Sequence, residues 1–172
     1  MTPRPALLAL ALLACGGPRP SPGDDLVLAD EWLPGDADSD PWPGHRPATV
    51  ACGPAGAYVE GATFEVATEQ CDYLDVRQPS VWRLRAGDGL QVAFTHTALL
   101  TAPDDDLPRE AHVALQLGDE LLWELIVPIP AVPTPHTVDL TLAHDHEVDE
   151  PWSFHLHNHG ANTYSLLHVR AR

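Results

Sequence analysis

From about Thr49 onward the chain is a series of short runs of alternating polarity, punctuated by Gly, Pro and Asp. This two-residue beat is the feature that most narrows the folds open to it. The run "TFEVAT" alternates about Phe64 and Val66. "WRLRAGDGLQVAFTH" passes through Leu84, turns at Gly87-Asp88-Gly89 and resumes with Leu90, Val92 and Phe94 on one face. "AHVALQLGDELLWELIVPI" is two runs hinged at Gly118-Asp119, which predicts a hairpin. "HTVDLTLA", "WSFHLHN" and "TYSLLHVRA" complete the set, and no window carries a helical period with caps. At least seven strands at regular spacing predict an all-β fold, an antiparallel β-sandwich over residues 49–172. That length provides one hydrophobic core, not two.

The stretch before it has a different character. From Gly16 to about Ala48 the chain reads "GGPRPSPGDDLVLADEWLPGDADSDPWPGHRPA", dense in Pro, Gly and Asp and without a period. Such composition does not bury enough surface to offset its ordering entropy, so residues 15–48 are expected to form a disordered acidic tether that includes Trp32 and Trp42. Asp36, Asp38 and Asp40 alternate like the start of a calcium loop, but Pro41 and Pro47 stand where a turn Gly and a bidentate Glu are needed. A solvated linker is the better reading.

The first fifteen residues, "MTPRPALLALALLAC", combine Arg4 with an apolar run from Ala6 to Leu13. That run is too short to span a bilayer, which takes about 20 apolar residues, and fits a cleaved export signal. Leu12-Leu13-Ala14-Cys15 resembles the lipobox of bacterial lipoproteins, with Leu13 a departure from the usual Ala or Ser. The resemblance implies a signal peptide over residues 1–14, lipidation of Cys15, and a membrane-anchored address in the cell envelope, the outer membrane favoured over the inner. Cleavage there removes one arginine and no acid, taking the formal net charge from −16 to −17. All nine basic residues are Arg. A chain this acidic lacks the footprint of a nucleic-acid partner and is repelled by anionic headgroups, so membrane attachment falls to the lipid. Of the remaining cysteines, Cys52 and Cys71 make an even pair in an exported chain, which predicts a disulfide.

The layout "LRAGDGLQVAF", a meander, then "WSFHLHNHGANTYSLLHV" resembles the jelly-roll sandwiches of galactose-binding-like and carbohydrate-binding modules. The resemblance implies a jelly-roll-like topology and a glycan or an envelope protein as partner, although fold does not fix function. Trp82, Trp123 and Trp152 alternate with apolar neighbours and are expected in the core, not as sugar platforms.

The chemistry-bearing stretch is "SFHLHNHG". On a strand, Trp152, Phe154 and Leu156 face one way while Ser153, His155, His157 and His159 face the other. Residues two apart on one face lie about 7 Å apart, so His155 and His157 can share an ion, and His159 joins only if Gly160 turns it back. A tight "HGAN" hairpin pairing Asn158 with Thr163 puts His168 diagonal to His155, whereas a one-residue slip sends Tyr164, Leu166 and His168 to the core side. His155, His157, His159 and His168 are therefore the candidate ligands for zinc or copper. His112 is a further outward candidate, while His96 follows the phase of Val92 and Phe94. The bland alternative is a polar face whose histidines bond to Tyr164 or Thr163. "HDHEVDE", from His144 to Glu150, reads as a charged loop. No G-x-S-x-G elbow, phosphate cradle or H-E-x-x-H is present, so no catalytic residue is assigned and the expectation is a non-enzymatic binding module. A metal-binding protein and a purely structural envelope protein are the alternatives.

Overall fold

The computed structural model describes residues 17–101 and 109–172. Ten strands follow in chain order: β1 (Leu33–Pro34), β2 (Ala57–Glu60), β3 (Thr63–Ala67), β4 (Tyr73–Pro79), β5 (Gly89–His96), β6 (Glu110–Leu117), β7 (Glu120–Pro128), β8 (Thr134–Thr141), β9 (Pro151–His157) and β10 (Thr163–Ala171). They form two antiparallel five-stranded sheets, ordered β1-β4-β9-β6-β7 and β2-β3-β10-β5-β8. Successive strands from β3 to β6 alternate between the sheets, as do β8, β9 and β10, which gives the jelly-roll-like wrapping of a β-sandwich. The expected hairpin is there: Leu117 pairs with Glu120, and Gly118 takes the positive φ of +54° that this two-residue turn requires.

The core lies where the alternation places it. Trp152, Phe154 and Leu156 of β9 are fully buried and face Phe94 of β5 and Tyr164 of β10 across the sandwich. Phe94 packs within 6.4 Å, centroid to centroid, of Phe154 and 5.4 Å of Trp123. Of the three tryptophans expected inside, Trp123 and Trp152 are buried and Trp82 is half-buried, its indole N–H donating to the Asp25 carbonyl. The Cys52–Cys71 disulfide ties the approach to β2 to the start of β4. Closing a loop of 19 residues contributes about 3 kcal/mol in the chain-entropy picture.

Two expectations are corrected. First, residues 17–48 do not hang free as a tether but lie on the sandwich. Leu26, Val27 and Trp32 are buried, with the Trp32 ring 6.0 Å from Phe64 and 6.1 Å from Phe154. The backbone finds partners as well: Gly23 and Leu26 amides donate to Ala171 and Val169 carbonyls, and Leu33 and Pro34 pair with β4. A few apolar side chains at the right spacing, together with two open strand edges, outweigh a composition that is polar on average. Second, "HGAN" is not a hairpin turn. β9 and β10 belong to different sheets, and Asn158 and Asn162 are buried in the crossover, where the Asn162 amide group donates to Asn158 at 2.8 Å. Tyr164 and Leu166 point into the core, and a β-bulge between Leu166 and His168 resets the phase so that Val169 also points inward.

If the N-terminal segment is part of the folded unit, Trp32→Ala lowers the unfolding free energy by about 3–5 kcal/mol in a denaturant titration. Unchanged stability would return the segment to the status of a tether.

Candidate functional site

The outer face of the β4-β9-β6 sheet carries the histidines, and the residues ahead of the disulfide form a strap over it. β9 is central in its sheet and both of its faces are covered, the inner by the core and the outer by the strap: His155 is fully buried although it points away from the core. His157 sits opposite Tyr73 on one side and His112 on the other, while His155 sits opposite Asp75 and Ala114.

The strap is anchored by a buried carboxylate. Asp40 accepts from the Tyr73 hydroxyl in a short hydrogen bond, from Arg46 at 2.9 Å and from the Trp42 amide at 2.8 Å. Burial opposes its ionisation, but those three donors outweigh burial and hold its carboxyl below the usual range. Burial and the neighbouring Asp40 push the Tyr73 phenol well up, so it stays a donor. Arg46 also donates to the Gly35 carbonyl at 3.2 Å and lies over the Tyr73 ring, 5.5 Å from its centroid. Arg77 holds Ser39 through its hydroxyl at 2.8 Å. Asp40 is thus a structural anchor, and Asp36 and Asp38 stay exposed, so the three do not form a calcium loop.

With the strap in place, Trp42 stacks on His155 at 4.5 Å between centroids and 16° between planes, and His45 enters the site. Its Nδ1 lies 3.1 Å from His155 Nε2 and 3.2 Å from His112 Nδ1. Among the described residues, His45, His112 and His155 are the set whose ligand atoms all fall within 4.8 Å of one another.

Their tautomers follow from what holds the far side of each ring. His155 Nδ1 lies 3.0 Å from the Leu74 carbonyl, an acceptor only, so Nδ1 carries the proton and Nε2 presents a lone pair. His112 Nε2 lies 2.8 Å from Glu124 Oε1, so it donates there and the neutral ring presents Nδ1 as a lone pair. Both lone pairs converge on His45 Nδ1, which has one in-plane position to offer, a proton or a lone pair. As a proton it satisfies one neighbour and leaves the other facing an unmatched nitrogen; as a lone pair it satisfies neither.

Burial and the mutual proximity of the imidazoles weaken proton binding at His155, His157 and His45. Burial, then the nearby His112 and His45, lowers His155 to about 3. Burial, then His45, His159 and His112, lowers His157 to about 4. His45 is lowered by burial and by His112. A cleft of about 470 Å³ reaches the triad from solvent, lined by Trp42, His45, Glu110, His112, Glu124 and His157 among others.

Of the four ligands expected from the sequence, His155 lies in the triad, while His157 stacks on His45 at 4.9 Å and meets His159 with Nε2 to Nε2 at 3.2 Å. His168 is elsewhere: β10 is in the other sheet, and His168 Nε2 lies 3.4 Å from Gln91 Oε1. His112, read as outward-facing, is the cross-strand member of the triad. His45 was missed because its segment read as linker; the sole sequence signal was the pair of rings in "PWPGHRP" within an otherwise polar stretch. His96 is buried as its phase implied, its Nδ1 2.8 Å from the Thr97 carbonyl. In the charged loop, buried His146 lies between Glu120 at 3.0 Å and Glu150 at 2.8 Å and locks the approach to β9.

No protein-family model matches the chain, and no curated protein matches it. Carbohydrate-binding modules are among the solved structures similar to it, as the strand layout led us to expect. CBM4 is similar at 12% identity over 70% of this chain and 97% of that one, with a TM-score of 0.43. A family 29 carbohydrate-binding module is similar at 12% identity over 67% and 71%, with a TM-score of 0.40. A cleaved adhesin domain of Lys-gingipain from Porphyromonas gingivalis is similar at 15% identity over 87% and 97%, with a TM-score of 0.48. At these identities the similarity reaches no further than the arrangement of strands.

Proposed function

We propose that this chain is a non-enzymatic, envelope-located binding module whose ligand is a divalent transition cation of the zinc or copper class, held by His45, His112 and His155. The observation that carries this reading is the convergence of two lone pairs, fixed by the Leu74 carbonyl and Glu124, on a third imidazole nitrogen that can match only one of them. A cation at the centre satisfies all three at once.

The distances fit. Two imidazole nitrogens on one tetrahedral zinc, each about 2.0–2.1 Å from it, lie about 3.3–3.4 Å apart. The His45 contacts of 3.1 and 3.2 Å are within a few tenths of that. Glu124 behind His112 is the carboxylate–histidine–metal arrangement that orients a ligand and raises its basicity. Neutral imidazoles are the donors such ions take, and burial weakens proton binding at both His155 and His45. The formal charge of −16 draws cations toward the cleft.

Glycan binding has less local support. Trp32, Trp123 and Trp152 are buried and Trp42 is stacked on His155, so these indoles are not free to serve as stacking platforms. For the address, lipidation of Cys15 remains our proposal from the sequence; that residue lies outside the described ones.

Isothermal titration with Zn²⁺ after chelator treatment gives tight binding to the wild-type chain, lost in His45→Ala, His112→Ala and His155→Ala. Glu124→Gln weakens it by about 10–100-fold. Retained affinity in all three histidine variants would sink the assignment. Stability of the metal-free protein has a set sign with pH. His155 falls from 6.5 unfolded to about 3 folded, so its contribution is full above about pH 6.5 and is lost progressively as pH falls toward 3. The melting temperature therefore drops on acidification from neutral pH, less so in His155→Gln; a flat profile contradicts a buried neutral imidazole. Membrane-extracted protein shows an intact mass beginning at Cys15 with acyl additions, and an unmodified soluble product would refute the anchor.

A further inference from the structure

His157 lines, together with His45 and His112, the cleft through which an ion would reach the three-histidine centre. The rings of His159, His157 and His45 form a continuous path to it: centroids step 5.0 Å from His159 to His157, 4.9 Å to His45, then 4.8 Å to His112 and 5.3 Å to His155. His45 on this path is half-buried, and only the innermost rings are covered. The His159 side chain is 23% exposed, His157 is half-buried and His155 is fully buried.

The outer pair is itself arranged as ligands. His157 and His159 meet Nε2 to Nε2 at 3.2 Å, close to the separation of about 3.3–3.4 Å spanned by two imidazoles on one tetrahedral ion. Gly160, at a φ of +114°, lets the chain turn immediately after His159 so that its ring folds back on His157. Asp72 Oδ2 lies 3.8 Å from His159 Nδ1, beyond hydrogen-bond reach but close enough to favour a cation on this ring electrostatically.

Resting on the reading of the triad as a metal centre, we propose that His157 and His159 form a second, outer position for the same divalent cation, through which the buried His45–His112–His155 centre is filled and emptied. Transfer is ligand exchange between imidazoles, and the proton that bridges each ring-to-ring contact leaves for the ring's other nitrogen or for solvent as the ion takes its place. His45, which stacks on His157 and contacts both inner partners, is the ring across which the ion passes.

The test uses the chelator-treated full-length chain and Co²⁺, whose visible absorption reports coordination, with Zn²⁺ for stoichiometry. The wild-type chain takes up two equivalents, one tight and one weak. His157→Gln/His159→Gln loses the weak equivalent and keeps the affinity of the tight one, while loading and release to a chelator both slow by on the order of tenfold, because a lost path slows both directions alike. His45→Gln/His155→Gln does the reverse, keeping only the weak, fast equivalent. The milder Asp72→Asn weakens the outer equivalent alone and covers the case of a misfolded double variant. Unchanged loading and release in the outer variant, or collapse of the tight equivalent in it, overturns the relay. Wild-type chain that takes up only the weak equivalent instead overturns the triad.

Discussion

The hydrogen-bonded anchor at Asp40 is the interaction on which the site depends. By drawing Tyr73, Arg46 and its own strap together it closes residues 35–46 over the outer face of β9. A sheet face that would otherwise meet water becomes an interior, and the histidines on it change character accordingly. His155 on an open strand would titrate near its ordinary value; beneath Trp42 it stays neutral down to about 3. Burial alone makes that costly, because each ring carries polar nitrogens that must be matched. The carbonyl of Leu74 and the carboxylate of Glu124 match the outer nitrogens, and the inner ones are left to one another.

This division explains why the same face reads both as structure and as chemistry. Toward the core, β9 contributes Trp152, Phe154 and Leu156, which fix its place between β4 and β6. Toward the strap it contributes Ser153, His155 and His157, and the rigid central position of the strand holds those rings in register with His112 and Tyr73. A site on a central strand, closed by a strap with its own buried anchor, has the preorganisation that selective cation binding needs.

The strands and their inward faces were legible because a period of two survives tertiary context; the core positions of β9 and the β6–β7 turn are examples. The outward phase of His112, His155 and His157 was legible for the same reason. What escaped was set by contacts distant in sequence. His45 and Trp42 sit in a stretch whose average polarity predicts disorder, and only the edge pairing of β1, the burial of Trp32 and the bond from Asp40 to Tyr73 bring them over β9. His168 escaped for two reasons: β10 crosses to the opposite sheet, and a bulge after Leu166 breaks the alternation on which its facing was argued.

The central claim is that three imidazoles, and no carboxylate, form the inner coordination shell of a single cation. X-ray absorption at the zinc edge, on chain loaded with one equivalent of Zn²⁺, tests it most directly. The account predicts nitrogen neighbours at about 2.0–2.1 Å with the outer-shell scattering of three imidazole rings and at most one further light ligand. A shell of oxygen donors without imidazole scattering, or a signal unchanged in His45→Ala, would contradict it.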